Sequence, residues 1–171
     1  VAMEVSSEAL SLGRLEAVHF SAIAFTNLTT DHLDFHGNME NYFRAKMLLF
    51  DMAASSASTI AVYTGSEPGR RAYEYALSIG AKAEAFDDAA LLPVPTDVKF
   101  NKINGTLAAV ISGVDRLRAA GSLSTMPEVP GRFKRIPVRE GVSVIVDYAH
   151  TPDALENVLG ELRKKEKWVG C

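Results

Sequence analysis

Apolar residues recur at steps of three and four along residues 39–50, the spacing of one face of an α-helix. Asn38 precedes this segment and can cap a helix from Met39 to about Ala54, because its side chain can accept a free first-turn N–H. Lys46 projects into the middle of the apolar stripe. An unpaired buried charge is costly, so we expect its amine either to reach water along its aliphatic stem or to carry changed chemistry.

Short, continuously apolar runs predict buried strands that alternate with helices along the chain. The predicted strands cover 1–5, 22–28, 58–63, 81–86, 133–138 and 142–148, with a turn at Glu140–Gly141 and a further strand beginning within 167–171. The predicted helices cover 7–15 (a short helix or turn), 39–54, 68–80, 103–120 and 152–165. Predicted loops cover 29–37, 87–99 and 121–131. This alternation indicates an α/β fold around a mostly parallel sheet flanked by helices.

The composition excludes several classes of protein. Hydrophobic residues make up 47% and charged residues 23% of the 171 residues, with a net charge of −3. No basic patch interleaved with aromatics is present, so we expect no nucleic-acid partner. No run of 18 apolar residues is present, so we expect no membrane span. Cys171 is the sole cysteine, which excludes an internal disulfide and favours a reducing compartment.

Polar residues that can carry chemistry follow the second predicted strand. Asp31, His32, Asp34 and His36 lie within six positions of one another. Such a group suits a divalent metal, or forms a polar turn whose side chains bond the backbone. Glu4 lies in an apolar predicted strand, where an acid is costly unless it is paired, terminal or bound to a cation. If it ends that strand, it shares a cleft with the His32 loop, because strand ends meet at one sheet edge.

Lys46 lies two to three turns into the helix that follows this loop. Burial lowers the pKa of a lysine, and the neutral amine can then add carbon dioxide to become an anionic carbamate. With Glu4 and His32, the carbamate would complete a site for a hard cation. The alternative is an ordinary lysine whose ammonium reaches water.

A second group lies later in the chain. Asn104, Arg132, Asp147 and His150 provide an amide, a guanidinium, a strand-end carboxylate and an imidazole before a helix. That set suits a nucleotide, with a carboxylate for ribose hydroxyls and cationic groups for phosphates. Each residue alone is equally consistent with capping or ion pairing.

Four stretches together resemble the Mur ligase family: MEVSSEAL (3–10), FTNLTTDHLDFHGNMENYFRAKMLLF (25–50), PGRF (130–133) and VDYAHTPDALENVL (146–159). They are most similar to the members that add the third residue to UDP-N-acetylmuramoyl-L-alanyl-D-glutamate in bacterial peptidoglycan synthesis. The resemblance implies a central ATP-binding domain over 1–126 and the start of a Rossmann-like C-terminal domain over 127–171.

The resemblance also implies a reaction in the bacterial cytoplasm. ATP would convert a carboxylate to an acyl phosphate, which the amine of diaminopimelate or lysine attacks to form an amide, with Mg²⁺ stabilising the phosphoryl charge. Glu4, His32 and carbamylated Lys46 match the Mg²⁺ site. Ser6 and Arg14 match contacts to the UDP-N-acetylmuramoyl dipeptide.

For the nucleotide, the resemblance assigns Asn104, Arg132 and Asp147 to adenine, phosphate and ribose, and His150 to the terminal phosphate. The family's phosphate-binding loop, G-x-x-x-x-G-K-[ST], does not occur, and residues 64–71 match only its first half. In the family that loop precedes the EVSS segment. We therefore expect the sequence to be a fragment that does not ligate by itself.

Two other functions stay open at this point. One is a non-catalytic Mur ligase homologue with a binding or assembly role. The other is a metal-dependent hydrolase that uses His32 and His36 and needs no ATP.

Overall fold

A computed structural model describes residues 1–96, 98–139, 142–164 and 169–170. Its main sheet has three parallel strands in the order β1-β2-β3: β1 (Ala22–Phe25), β2 (Thr59–Tyr63) and β3 (Ala83–Phe86). The predicted α/β class with a parallel sheet is confirmed. The predicted turn at Glu140–Gly141, Cys171 and most of the strand predicted within 167–171 lie outside the described residues.

Helices of the described chain connect or flank these strands. They are α1 (Ser7–Ser11), α2 (Leu33–His36), α3 (Met39–Ser55), α4 (Glu67–Ser78), α5 (Lys99–Ser112), α6 (Arg116–Ser124) and α7 (Pro152–Arg163). Two predicted N-caps are confirmed. Asn38 Oδ1 accepts the Asn41 N–H at 2.9 Å, and Thr151 Oγ1 accepts the Ala154 N–H at 3.3 Å. None of the described helices is long and apolar enough to cross a bilayer.

The central strand β2 is buried on both sides, which explains its continuously apolar sequence. Ile60 and Val62 face one core, which includes Phe50 of α3. Ala61 and Tyr63, on the opposite side of the strand, join a second core with Leu107 of α5. The sheet is therefore covered on both faces.

Three predictions of local structure were wrong. Residues 1–5 form no strand, since they pair with no other strand and leave Val1 and Met3 exposed. The single helix predicted over 103–120 is two helices, α5 and α6. Gly113 ends α5 in a left-handed conformation (φ +66°), and Asp115 begins α6 by accepting two backbone N–H groups. Residues 33–36, predicted as loop, form the single turn α2.

The C-terminal strands β4 (Lys134–Arg139) and β5 (Val142–Val146) form an antiparallel pair of their own. Ile136 lies opposite Val144, so both project on the same face of the pair. Both are exposed. The prediction of strands here is confirmed, but they do not extend the parallel sheet.

Candidate functional site

The loop before α2 and the middle of α3 bring together two of the three predicted metal-binding residues, His32 and Lys46. Tyr42, on α3, lies between them: its ring contacts His32 edge-on at 5.8 Å between centroids, and Lys46 Nζ lies 5.0 Å from its centroid. Glu4 and Asp31 are close enough to Lys46 to influence its pKa electrostatically. The structure therefore places His32 and Lys46 against one ring, and Glu4 near Lys46.

His32 adopts an uncommon backbone conformation that presents its imidazole between two carboxylates. Its φ is +52°, in the left-handed region, and its N–H donates to Asp31 Oδ1 at 2.8 Å. His32 Nδ1 lies 3.2 Å from Glu8 Oε1, and Nε2 lies 3.6 Å from Asp31 Oδ2. These carboxylates fix the orientation of the imidazole, as carboxylates beside metal-binding histidines do.

Lys46 is half-buried in the apolar face of α3, as its spacing predicts. Burial lowers the pKa of Lys46, and the nearby carboxylates of Glu4 and Asp31 oppose that effect only partly. A lowered pKa enlarges the neutral-amine fraction at a given pH, which is the form that reacts with carbon dioxide. Burial also raises the pKa of the adjacent Tyr42, with the charges of Asp31 and Glu8 adding to the effect.

The chemistry of these side chains fits a hard cation, but they do not form a complete cage. Among the described residues, no three His, Cys, Asp or Glu side chains converge closely enough to hold a metal ion by themselves. Magnesium is commonly held by one or two carboxylates together with substrate phosphates and water. The available donors therefore suit Mg²⁺ bound jointly with a phosphorylated substrate better than a resident protein-only metal.

His36 has a different environment from His32. It is buried, with its Nε2 2.8 Å from Ser7 Oγ, and its ring stacks on Tyr42. The hydrogen bond to Ser7 engages one of its two ring nitrogens. Among the described residues no three His, Cys, Asp or Glu side chains form a group that could hold a metal ion, so nothing there supports the metal-dependent hydrolase.

The two residues matched to the dipeptide substrate lie on either side of α1. Ser6 is the N-cap of α1, and its Oγ accepts the Ala9 N–H at 3.1 Å. Arg14 follows the helix in a turn and is exposed. Ser6 therefore already has a local structural role, and its hydroxyl is the helix cap.

Three of the four predicted nucleotide residues, Arg132, Asp147 and His150, lie at the ends of β4 and β5. Both carboxylate oxygens of Asp147 accept backbone N–H groups, from Phe133 at 2.6 Å and from Ala149 at 2.8 Å. These bonds tie the segment before β4 to the segment after β5. Asp147 thus fixes the backbone beside Arg132 in addition to any ligand it contacts.

Tyr148 links the cationic members of this group. The Arg132 guanidinium lies over its ring, 4.9 Å from the centroid, and the His150 ring meets it edge-on at 5.0 Å. His150 Nδ1 also lies 3.0 Å from the Tyr148 carbonyl oxygen. Arg132, Asp147 and His150 are therefore brought together.

Asn104 is exposed on α5 and stands apart from this group in the contacts observed. Helix α5 nevertheless contacts the segment that carries Arg132. Phe100, one turn earlier, contacts Phe133 edge-to-face with centroids 6.2 Å apart. This aromatic contact holds the Asn104 helix near the residue that follows Arg132.

Sequence reasoning missed Glu8, Tyr42, Ser7 and Tyr148. The contact between Tyr42 and Lys46 could have been predicted from the sequence, because residues four apart on a helix are neighbours. Glu8 gave no such signal, since its partner His32 lies 24 positions away and is reached only through tertiary folding.

Comparison with known proteins adds the family. The family model for the Mur ligase middle domain matches residues 1–110, and that for the Mur ligase glutamate ligase domain matches residues 131–170. The boundary predicted at residue 126 stays a prediction. UDP-N-acetylmuramoyl-L-alanyl-D-glutamate--2,6-diaminopimelate ligases of Synechocystis sp. and Solibacter usitatus are 40% and 37% identical, over 94% and 95% of this chain.

The chain spans only 38–39% of the length of those two relatives. A solved UDP-N-acetylmuramoyl-L-alanyl-D-glutamate--2,6-diaminopimelate ligase superposes with a TM-score of 0.69 at 26% identity, over 94% of this chain and 39% of that one. MurF from Acinetobacter baumannii superposes with a TM-score of 0.70 at 19% identity, over 87% of this chain and 38% of that one, a likeness of fold alone.

Proposed function

The chain belongs to the Mur ligase family, and on that premise we propose that it forms part of an ATP-dependent ligase of peptidoglycan synthesis. The substrate would be UDP-N-acetylmuramoyl-L-alanyl-D-glutamate. The named relatives add 2,6-diaminopimelate, which favours diaminopimelate over lysine as the incoming amino acid. The observation that supports the proposal is the contact of His32 and Lys46 with the Tyr42 ring, with Glu4 near Lys46, in a member of this family.

In this proposal Glu4, His32 and Lys46 form the site where the phosphoryl group is transferred. Glu4, His32 and carbamylated Lys46 would hold Mg²⁺, which would stabilise the negative charge of the phosphoryl transfer. Glu8 would orient the imidazole of His32 through Nδ1, and Nε2, which lies 3.6 Å from Asp31 Oδ2, would be the nitrogen offered to the metal. Burial lowers the pKa of Lys46, which would enlarge the neutral fraction of its amine, the form that accepts carbon dioxide.

The predicted nucleotide residues would bind ATP. Arg132 would contact phosphate oxygens, Asp147 the ribose hydroxyls and Asn104 the adenine, while His150 lies beside the start of α7, where partial positive charge favours the terminal phosphate. The contact with the Tyr148 ring orients the Arg132 guanidinium. Ser6 and Arg14 would contact the UDP-muramoyl dipeptide.

A non-catalytic homologue that binds these ligands without turnover is the competing proposal. Two residues matched to ligands already have structural partners, which is the observation that favours it: Ser6 Oγ accepts the Ala9 N–H, and both carboxylate oxygens of Asp147 accept backbone N–H groups. The two proposals differ in product formation and not in binding.

The test uses the complete polypeptide that contains these residues. It is incubated with ATP, Mg²⁺, UDP-N-acetylmuramoyl-L-alanyl-D-glutamate and either diaminopimelate or lysine, and amide product and released phosphate are quantified together. We expect one phosphate per amide and a preference for diaminopimelate. Substrate binding without phosphate release or amide would support the non-catalytic homologue and contradict the ligase.

A further inference from the structure

A hydrogen bond between two buried side chains connects α1 to the turn before α3. Ser7 and His36 are only 2% and 8% exposed, and Ser7 Oγ lies 2.8 Å from His36 Nε2. The bond joins them whichever partner donates. Because both groups are buried, loss of either partner would leave a polar atom without water or protein to bond.

The other side of His36 is held by α3. Its ring stacks on Tyr42 with centroids 5.0 Å apart and planes within 16° of parallel. Asn41 Nδ2 donates to the His36 backbone carbonyl at 3.0 Å. His36 is therefore fixed between α1 and the ring that contacts His32 and Lys46.

Helix α1 needs such a connection. It has five residues, too few to be stable by helix propensity alone, so its place depends on tertiary contacts. Ser7 lies directly between Ser6, matched to the dipeptide substrate, and Glu8, which bonds His32. Fixing Ser7 therefore fixes both neighbours.

We infer that His36 is a positioning residue. Its bond to Ser7 and its stacking on Tyr42 hold Ser6 and Glu8, the two neighbours of Ser7, in a fixed position relative to Lys46 and His32. This inference rests on the proposed function for its catalytic consequence. Its structural consequence, that α1 is held by this bond, can be measured independently of any activity.

The experiment compares Ser7→Ala, His36→Ala and the double variant in the complete polypeptide. Ser58→Ala is the matched control, since Ser58 is also buried (4% exposed) and its hydroxyl donates to the Phe20 carbonyl, in the core and outside the site. Amide hydrogen exchange, the free energy of unfolding, and kcat and KM are measured on all four. Because Ser7→Ala removes only one oxygen atom, this variant alone is sufficient for the test if His36→Ala folds poorly.

We expect Ser7→Ala to accelerate exchange at the amides of residues 9–14 while those of β2 stay protected. We expect both single variants to raise KM for the UDP-muramoyl dipeptide about fivefold to tenfold and KM for ATP less than about twofold, the loss of one hydrogen bond. The double variant should be no worse than the more impaired single variant, because both remove the same bond. Ser58→Ala should lose stability with unchanged kinetic constants.

Unchanged exchange in α1 would overturn the inference outright. Equal kinetic effects of Ser7→Ala and Ser58→Ala would overturn it as well, because the pair would then contribute only to packing. If the wild type makes no amide, the proposed function fails, and the exchange result alone still decides whether His36 places α1.

Discussion

Lys46 Nζ lies 5.0 Å from the centroid of Tyr42, the residue one helical turn earlier on α3. The same ring stacks on His36 and meets His32 at its edge. Burial by these neighbours lowers the pKa of Lys46. The amine is thus held against an aromatic face that tolerates a cation and disfavours its full hydration.

Replacement of Lys46 by alanine tests the carbamate. In the complete polypeptide, Lys46→Ala should lower kcat about a hundredfold or more, since one preorganised electrostatic group is removed. Added bicarbonate should not restore it. Lys82→Ala, at an exposed lysine on the loop before β3, is the control and should leave kcat unchanged. Wild-type activity that survives exhaustive removal of carbon dioxide, with no carbamate mass on Lys46, would contradict the prediction.

The lowered pKa of Lys46 also predicts a pH dependence of stability. Between that lowered pKa and the ordinary value of 10.5, the unfolded chain binds more protons than the folded chain, so stability rises with pH across this window. Lys46→Met should therefore be more stable than wild type at about pH 7, with an advantage that shrinks toward pH 10.5.

Urea unfolding in magnesium-free and carbon-dioxide-free buffer measures this difference. Lys82→Met, which removes an exposed lysine, should show a difference from wild type that does not change with pH. If Lys46→Met is more stable than wild type by the same amount at every pH, burial of Lys46 does not explain the difference.

Asp147 has a structural and a proposed ligand role, which substitution can separate. Asp147→Ala should lower the free energy of unfolding by about 1–2 kcal/mol through loss of its bonds to two backbone N–H groups, and should raise KM for ATP about tenfold. Asp115 is the matched control, since it also accepts two backbone N–H groups, at the start of α6. Asp115→Ala should lose similar stability without a change in KM for ATP. Equal KM values for the two variants would remove Asp147 from the nucleotide site.

The break between α5 and α6 predicts opposite effects at two glycines. Gly113 has φ +66° with nothing within 4 Å of an added Cβ, so Gly113→Ala should destabilise by about 1 kcal/mol through backbone strain alone. Gly121 lies inside α6 with equally open surroundings, so Gly121→Ala should stabilise by roughly 0.5–1 kcal/mol. Thermal or urea unfolding measures both. Stabilisation by Gly113→Ala would mean that one continuous helix forms in solution.

The sequence alone determined the elements whose signals are local. The apolar spacing and Asn38 predicted α3, the continuous apolar runs predicted β1, β2 and β3, and Thr151 with Pro152 predicted the start of α7. It also placed Lys46 in an apolar stripe. These features depend on residues a few positions apart, so propensity and capping fix them before the chain is compact.

Tertiary structure decided which of these groups meet. Ser7 and His36 are 29 positions apart, and Asp147 and Phe133 are 14 apart. It also decided that residues 1–5 form no strand and that β4 and β5 pair with each other outside the parallel sheet. Contacts of this kind require loop closure and the shared burial of distant segments, and no local pattern of residues encodes which partners become buried together.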